Sequence, residues 1–425
     1  MFLSLLLFCS SCTLSQSYVS KGERREKAGD YAGAVTNFTE AVEAKGRMDD
    51  SAKFSELPLH LANDKYRLGD YAGAIAEYDE FLWQHPGLDK AVFNTRAVRI
   101  YLRRGDAKYA AKDFTGAIAD YSKALEMRPK ITEAYYARAR ARWNLKDFAG
   151  AAADFDAGIM KHPINPGAYN RRASVKFGLG DPAGASEDLN RAIGLDPKDA
   201  YAYLFRGWIK YTLGKPDEAL ADYTKAIGIH PKHPMPYFYR GLLRYRSHDY
   251  LSAISDCSRA IQLNSRYEDA YNLRGFVYYA LFNYNQAVVD FSKTVGLHPA
   301  NGTNYCYRAK AMIALNDHAA AVTNLNQAAR LCPMSDRVQS GCGWGWLEMG
   351  DFKAALAHFN QAIQLSPTNS SAHFGLGCLQ SDTDQLQAAL ENFTKAGQVD
   401  PSLVYIWYRV YLLRVQLGER EAANI

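Results

Sequence analysis

Residues 104–129 read RGDAKYAAKDFTGAIADYSKALEMRP, and the pattern of this stretch returns along the chain at a fixed interval. Prolines stand at 129, 163, 197, 231, 299, 333, 367 and 401, in steps of 34 or, once, 68, with Ser265 in the vacant place. Alanines keep the same beat at Ala117, Ala151, Ala185, Ala219, Ala253, Ala287, Ala321, Ala355 and Ala389. Four residues after each comes a core-sized side chain: Tyr121, Phe155, Leu189, Tyr223, Cys257, Phe291, Leu325, Phe359 and Phe393. Self-similarity at such a period marks stacked supersecondary units, each packed on its neighbours, rather than separate globules.

Each unit reads as two helices. The first carries Tyr at its fourth position (Tyr101, Tyr135, Tyr169, Tyr203, Tyr237, Tyr271, Tyr305) and Gly or Ala at its eighth. Helical spacing puts the large and the small residue on one face, so that a neighbouring helix can approach closely. A turn such as GDY or KDF follows, then a second helix typified by AIADYSKAL. The proline ends the unit because it cannot continue a helix.

The 34-residue period and the order Tyr/Trp–Gly/Ala–Ala–Phe/Tyr–Ala–Pro resemble the tetratricopeptide repeat (TPR) family. The resemblance implies an all-α fold, a right-handed superhelix (α-solenoid) of antiparallel helix pairs whose first helices line a concave groove. About eleven repeats and a terminal helix are expected. Residues 1–14 form a leader, and 15–97 hold two irregular units with insertions, anchored by GDYAGAVTNFTEAV (29–42) and GDYAGAIAEYDEFLWQHP (69–86). Extra residues are expected around 49–54 and 89–97, where Arg96-Ala97 and Arg104-Gly105 both look like seventh and eighth positions of a unit and one lengthened helix is read. Nine 34-residue units then occupy 98–403, and a C-terminal helix occupies 404–425. For function the resemblance implies a recognition scaffold rather than an enzyme.

Composition agrees with an ordinary folded chain. Of 425 residues, 48% are hydrophobic and 22% charged, which excludes a disordered or collagen-like protein. Fifty basic residues face 45 acidic ones, a net +5 that leaves no electrostatic footprint for nucleic acid. The seven cysteines are too irregular for a disulfide framework. The unusual feature is the aromatic content, with 29 Tyr, 19 Phe and 6 Trp.

One coupling shows when the units are laid on each other. Their seventh position is Arg104, Arg138, Arg172, Arg206, Arg240, Arg274 and Arg308, where the family usually has an apolar residue. Position twenty-three reads Asp120, Asp154, Asp188, Asp222, Asp256, Asp290 and then Asn324. In the next two units the Arg gives way to Cys342 and Leu376, and the Asp to His358 and Asn392. An Arg on a packed face needs a carboxylate, which its guanidinium matches bidentately. This predicts a ladder of Arg–Asp pairs within or between units, in preference to an arginine stripe that binds phosphate or acidic peptide. On that reading Arg206→Leu alone costs roughly 3–5 kcal/mol, and replacing both partners costs less.

By analogy with the family, positions two, five, nine, twelve and thirteen of the first helices face the groove. They include Tyr136, Arg140, Trp143, Asn170, Phe177, Tyr201, Trp208, Tyr211, Phe238, Tyr245, Asn272, Phe276 and Tyr279. Aromatic anchors flanked by Asn and Arg suit an extended peptide or an amphipathic segment of a protein partner, with stacking on sugar rings the alternative. Tyr201, Trp208, Phe238 and Phe276 are expected to be exposed, whereas the twelfth-position rings (Trp143, Phe177, Tyr211, Tyr245, Tyr279) are equally suited to packing between helices. No Lys–Asn pair occupies the fifth and ninth positions of one unit, so the family's clamp for chaperone C-termini is not expected, although Lys310 and Asn272 occupy groove positions.

No catalytic, cofactor or metal site is expected. His85, His162, His230 and His298 each precede a proline, where a helix C-terminus favours them. The glycines of GCGWGW (341–346) lie inside a first helix, so they form no phosphate loop. The leader MFLSLLLFCSSC resembles a bacterial lipoprotein signal, which implies lipidation of Cys12 and a membrane-anchored protein of the cell envelope; it departs from that pattern in lacking an early basic residue and in Cys9. A cytoplasmic protein with an uncleaved N-terminus is the alternative. At the other end Ile406, Trp407, Val410, Leu412, Leu413 and Val415 make the last helix apolar around much of its circumference, which suits self-association.

Overall fold

The computed structural model describes residues 2–44, 56–88, 95–401 and 404–418, with side chains from Ser15 onward and only the backbone of Val404. Among these residues every regular element is an α-helix. The chain divides into two compact units, residues 1–215 and 216–425. The sequence does not mark this division, since its 34-residue beat runs through it.

In the first unit the antiparallel pairs are α1 (Phe2–Lys27) with α2 (Tyr31–Ala44), and α3 (Leu57–Arg67) with α4 (Tyr71–Gln84). Next come α5 (Thr95–Ala110) with α6 (Phe114–Met127), α7 (Thr132–Asn144) with α8 (Phe148–Lys161), and α9 (Pro166–Gly178) with α10 (Pro182–Leu195). Helix α11 (Ala200–Thr212) completes it. The second unit begins with α12 (Pro216–Ile229). It continues with the pairs α13 (Pro234–Arg246) and α14 (Tyr250–Leu263), α15 (Glu268–Ala280) and α16 (Tyr284–Leu297), and α17 (Gly302–Ala314) and α18 (His318–Leu331). Then follow α19 (Asp336–Glu348) with α20 (Phe352–Leu365), α21 (Ser370–Asp382) with α22 (Leu386–Val399), and finally α23 (Val404–Gln416). Each unit is thus a stack of helix pairs of the TPR-solenoid kind.

The turn inside each pair has a clear cause. A residue in the left-handed region closes the first helix: Lys112, Lys146, His248, Phe282, Asn316 and Asp384 have φ between 60° and 65°, and Gly69, Gly180 and Gly350 stand at equivalent places. The next residue caps the second helix. Asp113, Asp147 and Asp181 accept from the backbone N–H of Gly116, Gly150 and Gly184 at 2.9, 2.9 and 2.8 Å. Behind the cap the repeated alanines are fully buried and the large residue four places on fills the gap. The eighth-position glycine makes room for that ring: a Cβ on Gly105 would fall 2.7 Å from Tyr121, and one on Gly343 would fall 2.6 Å from Phe359.

Helix α5 has 16 residues against 13 in α7. Helix α1 runs through the sequence leader without a backbone break at residue 14. The side chain of Cys12, the expected insertion near 49–54 and residues 89–94 of the one expected near 89–97 lie outside the described residues, as do 419–425. Among the described residues no helix is long and apolar enough to cross a membrane.

Candidate concave clefts and the ladder behind them

The seventh-position arginines point between the two helices of a pair, as the Arg–Asp coupling predicts. Arg172 donates from Nε and Nη2 to Asp188 at 2.8 and 2.5 Å, with Arg172 91% and Asp188 99% buried. Arg104–Asp120, Arg138–Asp154, Arg240–Asp256 and Arg274–Asp290 repeat this two-point contact. The remaining Nη1 crosses to the second helix of the preceding pair, reaching Asp79, Ser122, Asp156, Thr224 and Ser258. Each of these arginines therefore ties three helices together. A second cation, Lys108, Arg142, Lys176 or Arg244, sits on the same buried carboxylate. Each guanidinium also lies near the fourth-position ring, as Arg172 does over Tyr169 at 5.5 Å. The ring's hydroxyl caps the preceding pair by donating to a proline carbonyl, as Tyr169 does to Pro163 at 3.1 Å. These arginines are committed to the fold.

Where the Arg and Asp disappear, a neutral set takes over. Gln339 donates to the Pro333 carbonyl at 3.0 Å and binds His358 at 2.7 Å. His373 contacts the Pro367 carbonyl at 3.1 Å and Asn392 at 2.8 Å. Burial lowers the pKa of His358, which favours the neutral ring. Between them, Arg308 donates to Asn324 at 2.8 Å.

Two abutting clefts open in the first unit along α5, α7, α9 and α11. One, of about 640 Å³, brings together Arg140, Trp143, Asn170 and Tyr201 with Tyr109 and Arg171. The other, of about 770 Å³, is lined by Tyr136, Arg140 and Arg171 as well as Arg99, Arg103 and Arg128. Tyr201 is 55% exposed, and Asn170 is 92% buried with its carbonyl oxygen lacking a hydrogen-bond partner. The Tyr136 hydroxyl is also buried and unpartnered. Burial raises the pKa of Asp106, at the second cleft, against the pull of Tyr121, Arg103 and Arg140.

The other predicted groove residues fare differently. Trp208, expected to be exposed, is half-buried because Phe177 packs on it at 4.5 Å and Phe205 at 5.9 Å. Phe238 is half-buried under Tyr267 at 5.3 Å. Phe276 meets Tyr307 at 4.7 Å and Phe291 at 5.2 Å, yet one edge still lines a cleft of about 620 Å³ in the second unit. That cleft also has Tyr307, Trp344, Phe374 and Tyr405, none of which the groove assignment contained. The twelfth-position rings pack on the first aromatic of the following helix, Trp143 on Phe148, Tyr245 on Tyr250 and Tyr279 on Tyr284, at 4.8, 5.9 and 5.1 Å. Pro182 removes that partner from Phe177, which turns to Phe205 and Trp208 instead. Tyr211 is half-buried. Asn272 donates to Asn304 at 3.5 Å and leaves its own carbonyl oxygen buried and unpartnered.

On α23, Ile406, Val410 and Leu413 pack inward, while Trp407, Tyr408, Tyr411, Leu412 and Val415 face outward. Cys306 and Cys342 are buried with their sulfurs 3.9 Å apart. No group of metal-ligating side chains occurs among the described residues.

Comparison with known proteins adds the following. The family profile "Tetratricopeptide repeat" matches residues 102–168 and 170–234, and the profile "TPR repeat" matches 347–383. No curated protein matches in sequence. The yeast Tom70 crystal structure is similar over 96% of both chains, at 16% identity and a TM-score of 0.50. A tetratricopeptide repeat protein from Parabacteroides merdae aligns over 62% of this chain and 99% of its own, at 20% identity and a TM-score of 0.47. The profile matches place tetratricopeptide repeats at residues 102–168, 170–234 and 347–383, the period and the paired helices carry the same pattern along the described residues, and such repeats support a scaffold for protein–protein interaction.

Proposed function

We propose that the chain is a non-catalytic scaffold that holds a protein or peptide in the aromatic-lined clefts of its first helices. The observation that carries this reading is the first-unit cleft, where Arg140, Trp143, Asn170 and Tyr201 converge around about 640 Å³. An exposed ring, a buried unpartnered amide oxygen and cationic side chains in one concavity supply an anchor and directional contacts for an extended segment. A pull-down with the full chain beside Trp143→Ala/Tyr201→Ala tests it. Loss of one or more partners supports the reading, and identical partner lists remove it.

Placement at a bacterial envelope through lipidated Cys12 rests on the leader's resemblance to a lipoprotein signal. Metabolic labelling with a fatty acid, compared between wild type and Cys12→Ser, decides it. The second-unit cleft, with Trp344, Phe374 and Tyr405 beside Ser371 and Asp400, favours saccharide binding as the second reading. A glycan array probes that directly. The outward face of α23 supports self-association, which light scattering of the full chain and a 1–403 truncation would detect as a difference in oligomeric state.

A further inference from the structure

The arginines of the ladder are occupied, but another set is not. Six cationic side chains, Arg99, Arg103, Arg128, Lys130, Arg140 and Arg171, line the larger first-unit cleft against only Asp106 and Glu133. The whole chain carries a net +5, so this one concavity, with a local excess of four, concentrates most of it. None of the six forms an ion pair or a side-chain hydrogen bond among the described residues; Arg140 rests over the Tyr109 ring at 4.6 Å. Five of the six are exposed and Arg140 is half-buried, so they stand open to a ligand, whereas an arginine held inside the stack is paired, as Arg172 is with two acids. Clustered like charges destabilise a folded chain by mutual repulsion and focus a positive potential in a cleft, where they favour an anionic ligand.

A second observation narrows the ligand. Asn170 donates its amide to Asp199 at 2.5 Å, which fixes the side chain so that its carbonyl oxygen is the group left over. That oxygen is buried, unpartnered and at the neighbouring cleft, which shares Arg140 and Arg171 with the basic one. It needs a hydrogen-bond donor. Carboxylates and phosphodiesters offer none at neutral pH, whereas a peptide backbone N–H does. Nucleic acid fits less well, because base stacking needs open ring faces. Here Tyr201 is the one widely open ring of the cleft, since Arg140 covers a face of Tyr109 and Trp143 packs against Phe148, so successive bases find no second platform.

We infer that the first-unit clefts together bind an acidic, extended peptide segment of a protein partner, with Asn170 reading its backbone and Arg140 and Arg171 holding its carboxylates. The inference rests on the groove reading above and adds the partner's chemistry to it. The clefts extend along four successive first helices, three interhelix steps of about 8–10 Å. At about 3.3 Å per extended residue this holds roughly seven to nine residues.

The test titrates the full chain with two fluorescein-labelled ten-residue peptides, EYDAEEYDAE and its amide counterpart QYNAQQYNAQ, at low and at physiological salt. The expected result is saturable binding of the acidic peptide, at least tenfold tighter than the amide one and weakened by salt. Arg140→Gln/Arg171→Gln should lose at least tenfold for the acidic peptide alone, Asn170→Ala should weaken both peptides, and Lys353→Gln on α20 should bind as wild type. Unchanged circular dichroism and melting of each variant show that the scaffold is intact. Equal affinity for the two peptides overturns the inference and leaves the groove reading standing. Absence of binding to either overturns the inference, while the pull-down with Trp143→Ala/Tyr201→Ala judges the groove reading separately. Displacement of the acidic peptide by a lower concentration of single-stranded oligonucleotide, lost in the Arg140/Arg171 variant, overturns it in favour of nucleic acid.

Discussion

At Arg104, Arg138, Arg172, Arg240 and Arg274 the first and second helices of a pair are joined by an arginine and a buried carboxylate; at Gln339–His358 and His373–Asn392 they are joined by an amide and an imidazole. Both arrangements reach the proline carbonyl that ends the preceding pair. Tyr169 does so with its hydroxyl, Gln339 with its amide and His373 with its ring. The charged version adds a third attachment, from Arg172 to Asp156 on the preceding second helix. The neutral version places its polar group at the fourth position, which leaves the seventh to Cys342 and Leu376 as core residues. The comparison teaches that the conserved requirement within this chain is the cross-link and the cap, and that charge is one way to provide it. Its cost is that neither member of a charged pair can be lost alone.

The largest effect should come from breaking that pairing on one side. Arg172→Leu leaves Asp188 buried with only Lys176 beside it and should cost about 3 kcal/mol, read from chemical denaturation. A second test sets the two units against each other through pH. Burial, with Glu26 nearby, raises Asp64 to about 6, so its contribution favours the fold at low pH and is lost as pH rises through about 6. His358 is depressed, so its contribution is full above its unfolded value of about 6.5 and is lost as pH falls below it. Asp64→Asn should therefore raise melting more at pH 8 than at pH 5, by about 2–4 °C. His358→Gln should flatten the loss of stability between pH 7 and 5. Equal responses at both pH values would contradict the two assignments.

His373→Leu comes next. It removes two hydrogen bonds, yet Asn392 keeps Gln380 and the Ala388 carbonyl, so the expected cost is about 1–2 kcal/mol, less than for the charged pair. A cost equal to that of Arg172→Leu would erase the distinction between the regions. Smallest is Tyr135→Phe, which loses a 3.3 Å bond to the Pro129 carbonyl at a half-exposed site and should cost about 0.5 kcal/mol.

Much of the fold is legible in the sequence because a 34-residue period leaves few alternatives. The Arg–Asp ladder is legible for the same reason, since both partners recur in register. The third contact of each ladder arginine is not, because Asp79, Ser122, Asp156, Thr224 and Ser258 share an acceptor oxygen but are of three residue types. The neutral replacement was equally hidden. It moves the polar partner from position seven to position four, so that Cys342 and Leu376 read as simple losses. For the clefts, repeat position tells which way a Cβ points but not what the next repeat lays over it. Tyr201 stays open, whereas Trp208 and Phe238 are covered by rings from neighbouring helices. Residue type alone could not separate the arginines that hold the fold from those that line the basic cleft. The useful signal is the seventh position itself, which Arg172 occupies; Arg140 and Arg171 also have carboxylates sixteen residues on, Asp156 and Glu187, but stand at the ninth and sixth positions.

The central claim is that the ladder arginines are structural partners of their carboxylates. A double-mutant cycle tests it most directly, comparing wild type, Arg172→Leu, Asp188→Leu and the double replacement by denaturant unfolding. The account predicts a coupling of at least about 1.5 kcal/mol, with the double variant more stable than either single one. Additive losses, with coupling below about 0.5 kcal/mol, would contradict it.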